Sequence, residues 1–572
     1  MKKAIIMAAA LMTVCLQTKA QTIATAYKGA SDGNPISGSV FCADPTAIEY
    51  EGRLYVYGTN DHQQYIVNNK TGSNGYGNIK SLVVFSTDDM VNWTFHGTID
   101  VSKVCTWAGQ SWAPSAVWRE KADGTKEFFV YFANGGGSVG VMKSTKSPLG
   151  PFTSPLTQAM IRHGMAGVDP CNWLFDPGVV IDSTGTGWIA FGGGDPQDGN
   201  NKLMPGNSRI AKLKPSMTSL DGAAVNLPAP YLFEASELNI MNGRFVYTYN
   251  TSWSDRNQWN SYEKRNGQPA PSSCSMCYMV TDNPLDPDSW EYRGEYVPNE
   301  GSFSALGADW GNNHTHLQKF NGNYYLFYHG NVLEKSMKNK GGMDSGASGY
   351  RSLCVNKLTV DEETQTLNKI NMSKSGPTIL KNMNPYELHQ AETMATSGGI
   401  SYEDFKNIKT TSKSSLGNDA SENLYIKMAA GKWTQVRKLS FGTNGPDSVM
   451  LRLKGTGKIE IRLGTAASAV GTVEASSTTY KEYTVALDRT KVKGVKNIFF
   501  VCTEGTDLRF DTWKFTEYDP TGIETVSTKE TNVKKVVYDL SGRRLQKGSK
   551  HRGLVIEQYT DENGTKKVRK HL

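Results

Sequence analysis

The sequence predicts an all-β protein: a five-bladed β-propeller, then a β-sandwich (jelly-roll) module, then a short β tail. Three observations lead there. A phrase of alternating aromatic and aliphatic residues recurs five times, and the texture of the chain changes after Asn384. Aromatic residues also reach 10% in a chain with 57 glycines, which suits short strands joined by tight turns.

The recurring phrase reads Gly52-Arg53-Leu54-Tyr55-Val56-Tyr57, then Phe128-Phe129-Val130-Tyr131-Phe132, then Gly187-Trp188-Ile189-Ala190-Phe191. It returns as Gly243-Arg244-Phe245-Val246-Tyr247-Thr248-Tyr249 and as Gly322-Asn323-Tyr324-Tyr325-Leu326-Phe327-Tyr328. Each copy has the two-residue period of a strand bounded by turn formers. Spacings of about 55–80 residues point to radial repetition, in which each copy is a sheet that buries its faces against its neighbours. The propeller is placed at residues 21–380. An array of β-sandwiches written in the same strand language is the alternative.

From Asn384-Pro385-Tyr386 onward, short strands such as Lys458-Ile459-Glu460-Ile461-Arg462-Leu463 and Asn497-Ile498-Phe499-Phe500-Val501 sit among Gly, Ser and Thr turns. This is the pattern of a β-sandwich, placed at residues 384–518. Residues 519–572 read as a polar linker and a small strand-like tail with a basic end.

Residues 1–20 read as a secretory signal peptide: Lys2 and Lys3, an apolar stretch from Ala4 to Leu16, and the cleavage site Thr18-Lys19-Ala20. Thr13-Val14 before Cys15 lacks the small residue that lipidation sites show. The location expected is secreted or cell-surface, with no transmembrane segment, since no later stretch reaches ~18 continuous apolar residues. The net charge is +7, but Lys and Arg crowd the end of the chain. The body is close to neutral, which speaks against a nucleic-acid partner. The seven cysteines beyond the leader are scattered and form no disulfide framework.

Cleaving a glycosidic bond with inversion needs one carboxylate to activate water and one carboxylic acid to protonate the departing oxygen, about 6.5–9.5 Å apart. The acid stays protonated near neutral pH if burial or a second carboxylate raises its pKa. Three carboxyl residues sit just upstream of strand phrases, where a propeller's innermost strands should lie. They are Asp44 in Phe41-Cys42-Ala43-Asp44-Pro45, Asp176 in Trp173-Leu174-Phe175-Asp176-Pro177, and Glu234 in Phe233-Glu234-Ala235-Ser236. Carboxylates among aromatic and small residues are costly to bury without purpose. Glu237 lies three residues past Glu234, which on a regular strand puts it on the opposite face.

The ordered set Ala-Asp-Pro, Trp112-Ala113-Pro114-Ser115, Phe-Asp-Pro, Phe-Glu-Ala-Ser and Asn312-Asn313-His314 resembles glycoside hydrolase family 43. The resemblance is closest to members that remove arabinose from arabinoxylan and carry a carbohydrate-binding module of family 6. It implies Asp44 as general base, Glu234 as general acid and Asp176 as the group that orients the acid and tunes its pKa. It implies His314 at an axial calcium site, with His316 as the alternative, and Arg351 as an arginine approaching the acid and the sugar pocket. Trp112 and Phe233 are the aromatics expected to contact sugar.

In the second domain, Gln390-Ala391-Glu392-Thr393 and Phe510-Asp511-Thr512-Trp513 resemble the family 6 module. The resemblance implies a structural calcium on Glu392 and Asp511 and a sugar held between Trp433 and Tyr480. Arg509 stands where such modules carry an asparagine that hydrogen-bonds the ligand. Tyr538-Asp539-Leu540-Ser541-Gly542-Arg543 resembles a type IX sorting domain. The expectation is a secreted inverting α-L-arabinofuranosidase acting on arabinoxylan or related plant polysaccharide, without an organic cofactor. A β-xylosidase or endo-xylanase, or a non-catalytic glycan-binding protein, is the alternative.

Overall fold

Each of the five phrases forms the second strand of an antiparallel sheet, and the strand before it carries the polar residues that face the propeller axis. The computed structural model describes residues 22–195, 201–299, 304–308, 311–409, 420–519, 535–538, 544–545, 555–560 and 566–571. The leader expected at residues 1–20, Cys15 included, lies outside the described residues, as does Asp539–Arg543 of the tail phrase.

Blade 1 comprises β1 (Ala43–Tyr50), β2 (Arg53–Thr59), β3 (Ser81–Thr87) and β4 (Trp93–Asp100), with helix α1 (Asp61–Val67) after β2 and α2 (Val101–Val104) after β4. Blade 2 comprises β5 (Trp112–Glu120), β6 (Lys126–Ala133), β7 (Ser138–Ser144) and β8 (Ile161–Arg162). Blade 3 holds β9 (Gly178–Ile181), β10 (Gly187–Phe191), β11 (Arg209–Lys212) and β12 (Val225–Asn226). Blade 4 holds β13 (Leu232–Met241), β14 (Arg244–Thr251), β15 (Met276–Thr281) and β16 (Glu291–Val297). Blade 5 has β17 (His316–Phe320), β18 (Asn323–Gly330) and β19 (Ser352–Leu358), with α3 (Val332–Asn339) between the last two. The segment before β1 runs beside β19. Ile36 N–H donates to Leu353 O at 2.9 Å and Cys42 N–H to Arg351 O at 3.0 Å, so the start of the propeller is tied to its last blade.

Neighbouring innermost strands diverge too far to pair, yet their buried N–H groups need acceptors. Side chains of the adjacent blade supply them at four of the five junctions, and between blades 4 and 5 a side-chain amide donates to a backbone carbonyl instead. Ala113 N–H donates to Thr59 Oγ1 (2.8 Å), Val179 N–H to Ser115 Oγ (3.0 Å) and Ala235 N–H to Asp176 Oδ2 (2.8 Å). Asn250 Nδ2 donates to the Asn313 carbonyl, and Ala47 N–H to His316 Nε2 at 3.0 Å, which closes the circle.

Three innermost strands share a local distortion. Between Ala43 and Thr46, between Trp112 and Ser115, and between Glu234 and Glu237, three residues span what two span on the partner strand. Each is a β-bulge with a left-handed residue in it: Asp44 (φ 48°), Ala113 (φ 38°) and Ala235 (φ 65°). Asp176 (φ 45°) takes the same conformation just before β9. A proline follows Asp44, Ala113 and Asp176, and the residue before proline is steered away from the right-handed helical region. The bulge corrects one expectation. Glu234 faces Asn250 and Glu237 faces Thr248, so the extra residue restores parity and sets both carboxyls on one face of the strand.

The chain continues through the short hairpin β20 (Val360–Asp361) and β21 (Thr366–Leu367). It then enters one curled sheet, a β-sandwich half-barrel. Its strands are β22 (His389–Gln390), β24 (Thr396–Gly398), β25 (Phe405–Asn407), β26 (Leu424–Met428), β27 (Trp433–Ser440), β28 (Pro446–Arg462), β29 (Ala469–Ala486), β30 (Val495–Glu504) and β31 (Leu508–Glu517). One piece of this region, β23 (Thr393–Met394), instead pairs with β4 and extends blade 1, covering an edge that would otherwise be open. The two domains share one apolar core, in which Leu54, Phe85 and Phe95 of blade 1 join Tyr402, Phe405, Phe510 and Trp513 of the half-barrel. The tail strands β32 (Lys535–Tyr538), β33 (Val555–Thr560) and β34 (Lys566–His571) form a separate sheet. Among the described residues the seven cysteines are free and buried, and no helix is long and apolar enough to cross a membrane.

Trp433 is not a sugar platform. It is 4% exposed, packs with Phe499, Val501 and the N-terminal residues Ile23 and Ala26, and donates its indole N–H to Ala24 O at 3.0 Å. A Cβ at Gly398 would lie 2.2 Å from that nitrogen, so glycine is required beneath the ring. Tyr480 belongs to a different cluster, with Tyr425 at 6.2 Å, and the expected aromatic pair does not form. Trp433→Ala should therefore cost about 3–5 kcal/mol as a core truncation. A urea midpoint that does not fall would show that the N-terminal segment is not held by this ring.

Candidate active site

The axial mouth of the propeller gathers the three carboxyls from blades 1, 3 and 4 into one electrostatic unit. Asp44 is buried, with Oδ1 accepting from Arg351 Nη1 at 2.8 Å and Oδ2 from Thr59 Oγ1 at 2.7 Å. Arg351 is fixed in turn by a fork onto Asp61, with Nε to Oδ2 and Nη2 to Oδ1 both at 2.9 Å. His329 accepts from Asp44 N–H through Nδ1 (3.0 Å), so Nε2 carries its proton and donates to Asn312 Oδ1 (2.7 Å). Burial lowers the basicity of His329, in keeping with that neutral tautomer.

Burial by itself would raise the pKa of Asp44, but the Arg351 guanidinium holds it far below the usual carboxylate range. The other two carboxyls move the opposite way. Burial and the charge on Asp44 push Asp176 up to about 7. Burial, then Asp176, then Asp44 push half-buried Glu234 well above its ordinary value. Asn312 bridges the two sides: Nδ2 donates to Glu234 Oε1 at 3.3 Å, while Oδ1 also accepts from Arg351 at 3.2 Å. The site thus offers one ionised carboxylate and one proton-bearing acid at neutral pH, the pairing that acid–base cleavage of an acetal needs.

Arg351 makes its ion pairs with the base Asp44 and with Asp61, and its charge also reaches the acid Glu234, where it opposes the rise in pKa. Phe233 and Trp112 are half-buried at the mouth. Phe233 meets the edge of Trp173 at 5.6 Å, and Trp112 donates its indole N–H to Tyr76 O at 3.2 Å. A Cβ on Gly193 would lie 2.2 Å from Phe233 O, so the backbone of blade 3 closes directly onto the strand that carries Glu234.

Sequence reasoning assigned no role to Thr59, Asp61, Asn312, His329, Tyr76 or Trp173. Thr59-Asn60-Asp61 was visible as a polar run straight after an aromatic-rich strand, and Trp173 (38% exposed) as an aromatic three residues before Asp176. Tyr76, whose ring lies 4.8 Å from the Arg351 guanidinium, sits in a loop with no such signal.

His314 is buried, with Nδ1 3.6 Å from Asp44 Oδ1, and burial lowers its pKa to about 3. His316 Nδ1 lies 3.0 Å from Glu237 Oε1. Among the described residues no three His, Cys, Asp or Glu side chains are gathered to hold a metal ion. In the half-barrel, Glu392 and Asp511 lie near enough that the charge of Asp511 adds to burial in raising the pKa of Glu392. Gln390 Oε1, Glu392 Oε1 and Asp511 Oδ1 are buried without hydrogen-bond partners, an oxygen set that fits a hard cation. The second oxygen of Asp511 is paired with Arg452.

A propeller that opposes an arginine-held carboxylate to a proton-bearing carboxyl is built as an acid–base hydrolase. Comparison with known proteins names the group: this chain belongs to the glycosyl hydrolases family 43, whose model matches residues 33–364. An arabinoxylan arabinofuranohydrolase of Paenibacillus polymyxa is 33% identical over 537 residues, covering 90% of this chain and 78% of that protein. One from Bacillus subtilis (strain 168) is 33% identical and covers 89% and 97%. The crystal structure of a Bacillus subtilis arabinoxylan arabinofuranohydrolase of family 43, in complex with cellotetraose, superposes with a TM-score of 0.75 at 32% identity. It covers 87% of this chain and 99% of that one. The chain is accordingly a glycoside hydrolase.

Removing the Arg351 charge should let Asp44 titrate at higher pH. In Arg351→Met the acid limb of the kcat/KM profile should move up, with activity at its optimum down by about 10²-fold or more, as expected for an impaired general base. An acid limb that stays in place would show that Arg351 does not hold Asp44 ionised.

Proposed function

We propose that this protein is a secreted inverting α-L-arabinofuranosidase that removes arabinofuranosyl side chains from arabinoxylan or a related plant polysaccharide. The observation that carries the reading is the opposite displacement of the carboxyl pKa values, with Asp44 driven down and Glu234 driven up in one buried cluster. The substrate rests on the two relatives that bear the name arabinoxylan arabinofuranohydrolase. Secretion rests on the leader pattern of residues 1–20.

Asp44 takes a proton from a water whose oxygen attacks the anomeric carbon. As that bond forms, the glycosidic C–O bond breaks and the Glu234 proton passes to the departing oxygen. Solvent then takes the proton from Asp44 and returns one to Glu234. Asp176 acts from behind: it accepts from the N–H of Ala235, next in chain to the acid, and its carboxyl helps keep Glu234 protonated. Asn312, hydrogen-bonded to both sides, fixes their separation.

We further propose a structural calcium in the half-barrel, held by Glu392 and Asp511 with Gln390, whose unpartnered oxygens the ion would satisfy. His314 has one carboxylate close by, Asp44, which Arg351 already occupies. A direct axial calcium through His314 is therefore not part of this reading.

Asp44→Ala and Glu234→Ala should each lower kcat by several orders of magnitude at unchanged melting temperature, and near-normal turnover in either would sink the assignment. On arabinoxylan the first product seen by NMR should be arabinose of inverted anomeric form. Release of xylose or xylo-oligosaccharides instead would move the activity to xylan backbone cleavage. The alkaline limb of the rate profile reports loss of the Glu234 proton. Asp176→Asn removes a negative charge, lowers the pKa of Glu234 and should shift that limb to lower pH. Chelation should lower the melting temperature of the half-barrel and added calcium restore it; an unresponsive midpoint would remove the ion from the account.

A further inference from the structure

The half-barrel carries a cleft of about 580 Å³ whose lining is cationic. Lys427 on β26 lies directly opposite Arg509 on β31, and Arg509 directly opposite Lys454 on β28, so three cations stand in one row across three strands. Like charges set opposite one another destabilise a sheet. Among the described residues one carboxylate lines this cleft, Asp507, which is 3.2 Å from Arg509 and 3.9 Å from Lys427. Lys481 on β29 adds a further positive charge, and among the described residues neither Lys454 nor Lys481 has a carboxylate within ion-pair distance. Ser477 and Thr478 add hydroxyls to the lining.

Two tyrosines flank the row. Arg509 lies over Tyr425 at 5.3 Å, and Arg452 and Lys454 lie over Tyr480 at 4.8 and 5.9 Å. The Tyr480 hydroxyl is buried without a hydrogen-bond partner. Repulsion built into a row of adjacent strands and a hydroxyl-bearing lining together describe a place completed by an anionic, hydroxyl-rich ligand.

We propose that this cleft binds an acidic saccharide, a sugar bearing a carboxylate of the uronic-acid kind on the polysaccharide that the propeller trims. The carboxylate replaces the missing counter-charge between Lys454, Arg509 and Lys481, and the sugar hydroxyls meet Ser476, Ser477 and Thr478. A confined cleft that keeps Asp507 suits isolated carboxylates spaced along a glycan better than a dense polyanion. The choice of a glycan rests on the proposed polysaccharide substrate, but the site shares no residue with the carboxyl trio, so binding and hydrolysis fail separately.

The test is calorimetry on the full-length protein with xylotetraose carrying one glucuronic acid and with unsubstituted xylotetraose, neither of which offers arabinose for release. The acidic probe should bind at least tenfold more tightly, and the preference should shrink as salt is raised. Lys454→Gln with Arg509→Gln should abolish it, as should Lys481→Gln in part, while the rate on a small chromogenic arabinofuranoside and the melting temperature stay as they were. Equal affinity for the two probes, or a preference that survives the double substitution, overturns the proposal. So does tighter binding of inorganic phosphate or a DNA oligonucleotide, which would assign the cleft to phosphate-bearing ligands.

Discussion

The ion pair between Asp44 and Arg351 is the interaction on which the rest of this molecule turns. Both groups are buried, and a buried ion pair is tolerated only when its remaining valences are filled. Here they are filled by Thr59 and by the fork onto Asp61. The pair joins the start of β19 in the last blade to β1 in the first, so it also closes the ring. One contact therefore keeps the base ionised and holds the two ends of the propeller together.

Its support extends beyond the propeller. Asp61 opens α1, capped by Asn60, and Asn60 also reaches the hydroxyl of Tyr402 in the half-barrel at 3.2 Å. His62, next along that helix, stacks on the Tyr402 ring at 4.4 Å. The half-barrel thus braces the helix that positions Arg351. The charge stored on Asp44 has a second effect, since it is one of the reasons that Asp176 is pushed up to about 7 and that Glu234 keeps its proton. Base and acid are set apart by the same cluster rather than by separate devices.

The five-fold strand phrase was legible because strand alternation and turn residues are local properties, and every copy became the second strand of a blade. The three carboxyl positions were legible for a related reason, each being a carboxyl set among aromatic and small residues ahead of such a strand. What escaped was everything that depends on parity or on long-range neighbours. Glu237 shares a face with Glu234 because a bulge adds one residue, and regular alternation cannot foresee a bulge. Trp433 disappears beneath residues about 410 positions earlier in the chain, which no local pattern signals. Arg351 likewise chose its partners from about 290 and 307 positions away.

By itself the sequence determined the strand repeat, the division into propeller and half-barrel, and the chemical types at the axial positions. These follow from periodicity, turn chemistry and the cost of burying charge, all readable along the chain. Only the tertiary structure decided which carboxyl is ionised and which holds a proton, because that balance depends on burial and on charges brought together from four blades. It also decided that one expected sugar platform is core and that a row of cations on the half-barrel stands without enough counter-charge. Those outcomes depend on strand register, and register exists only once the sheets have formed.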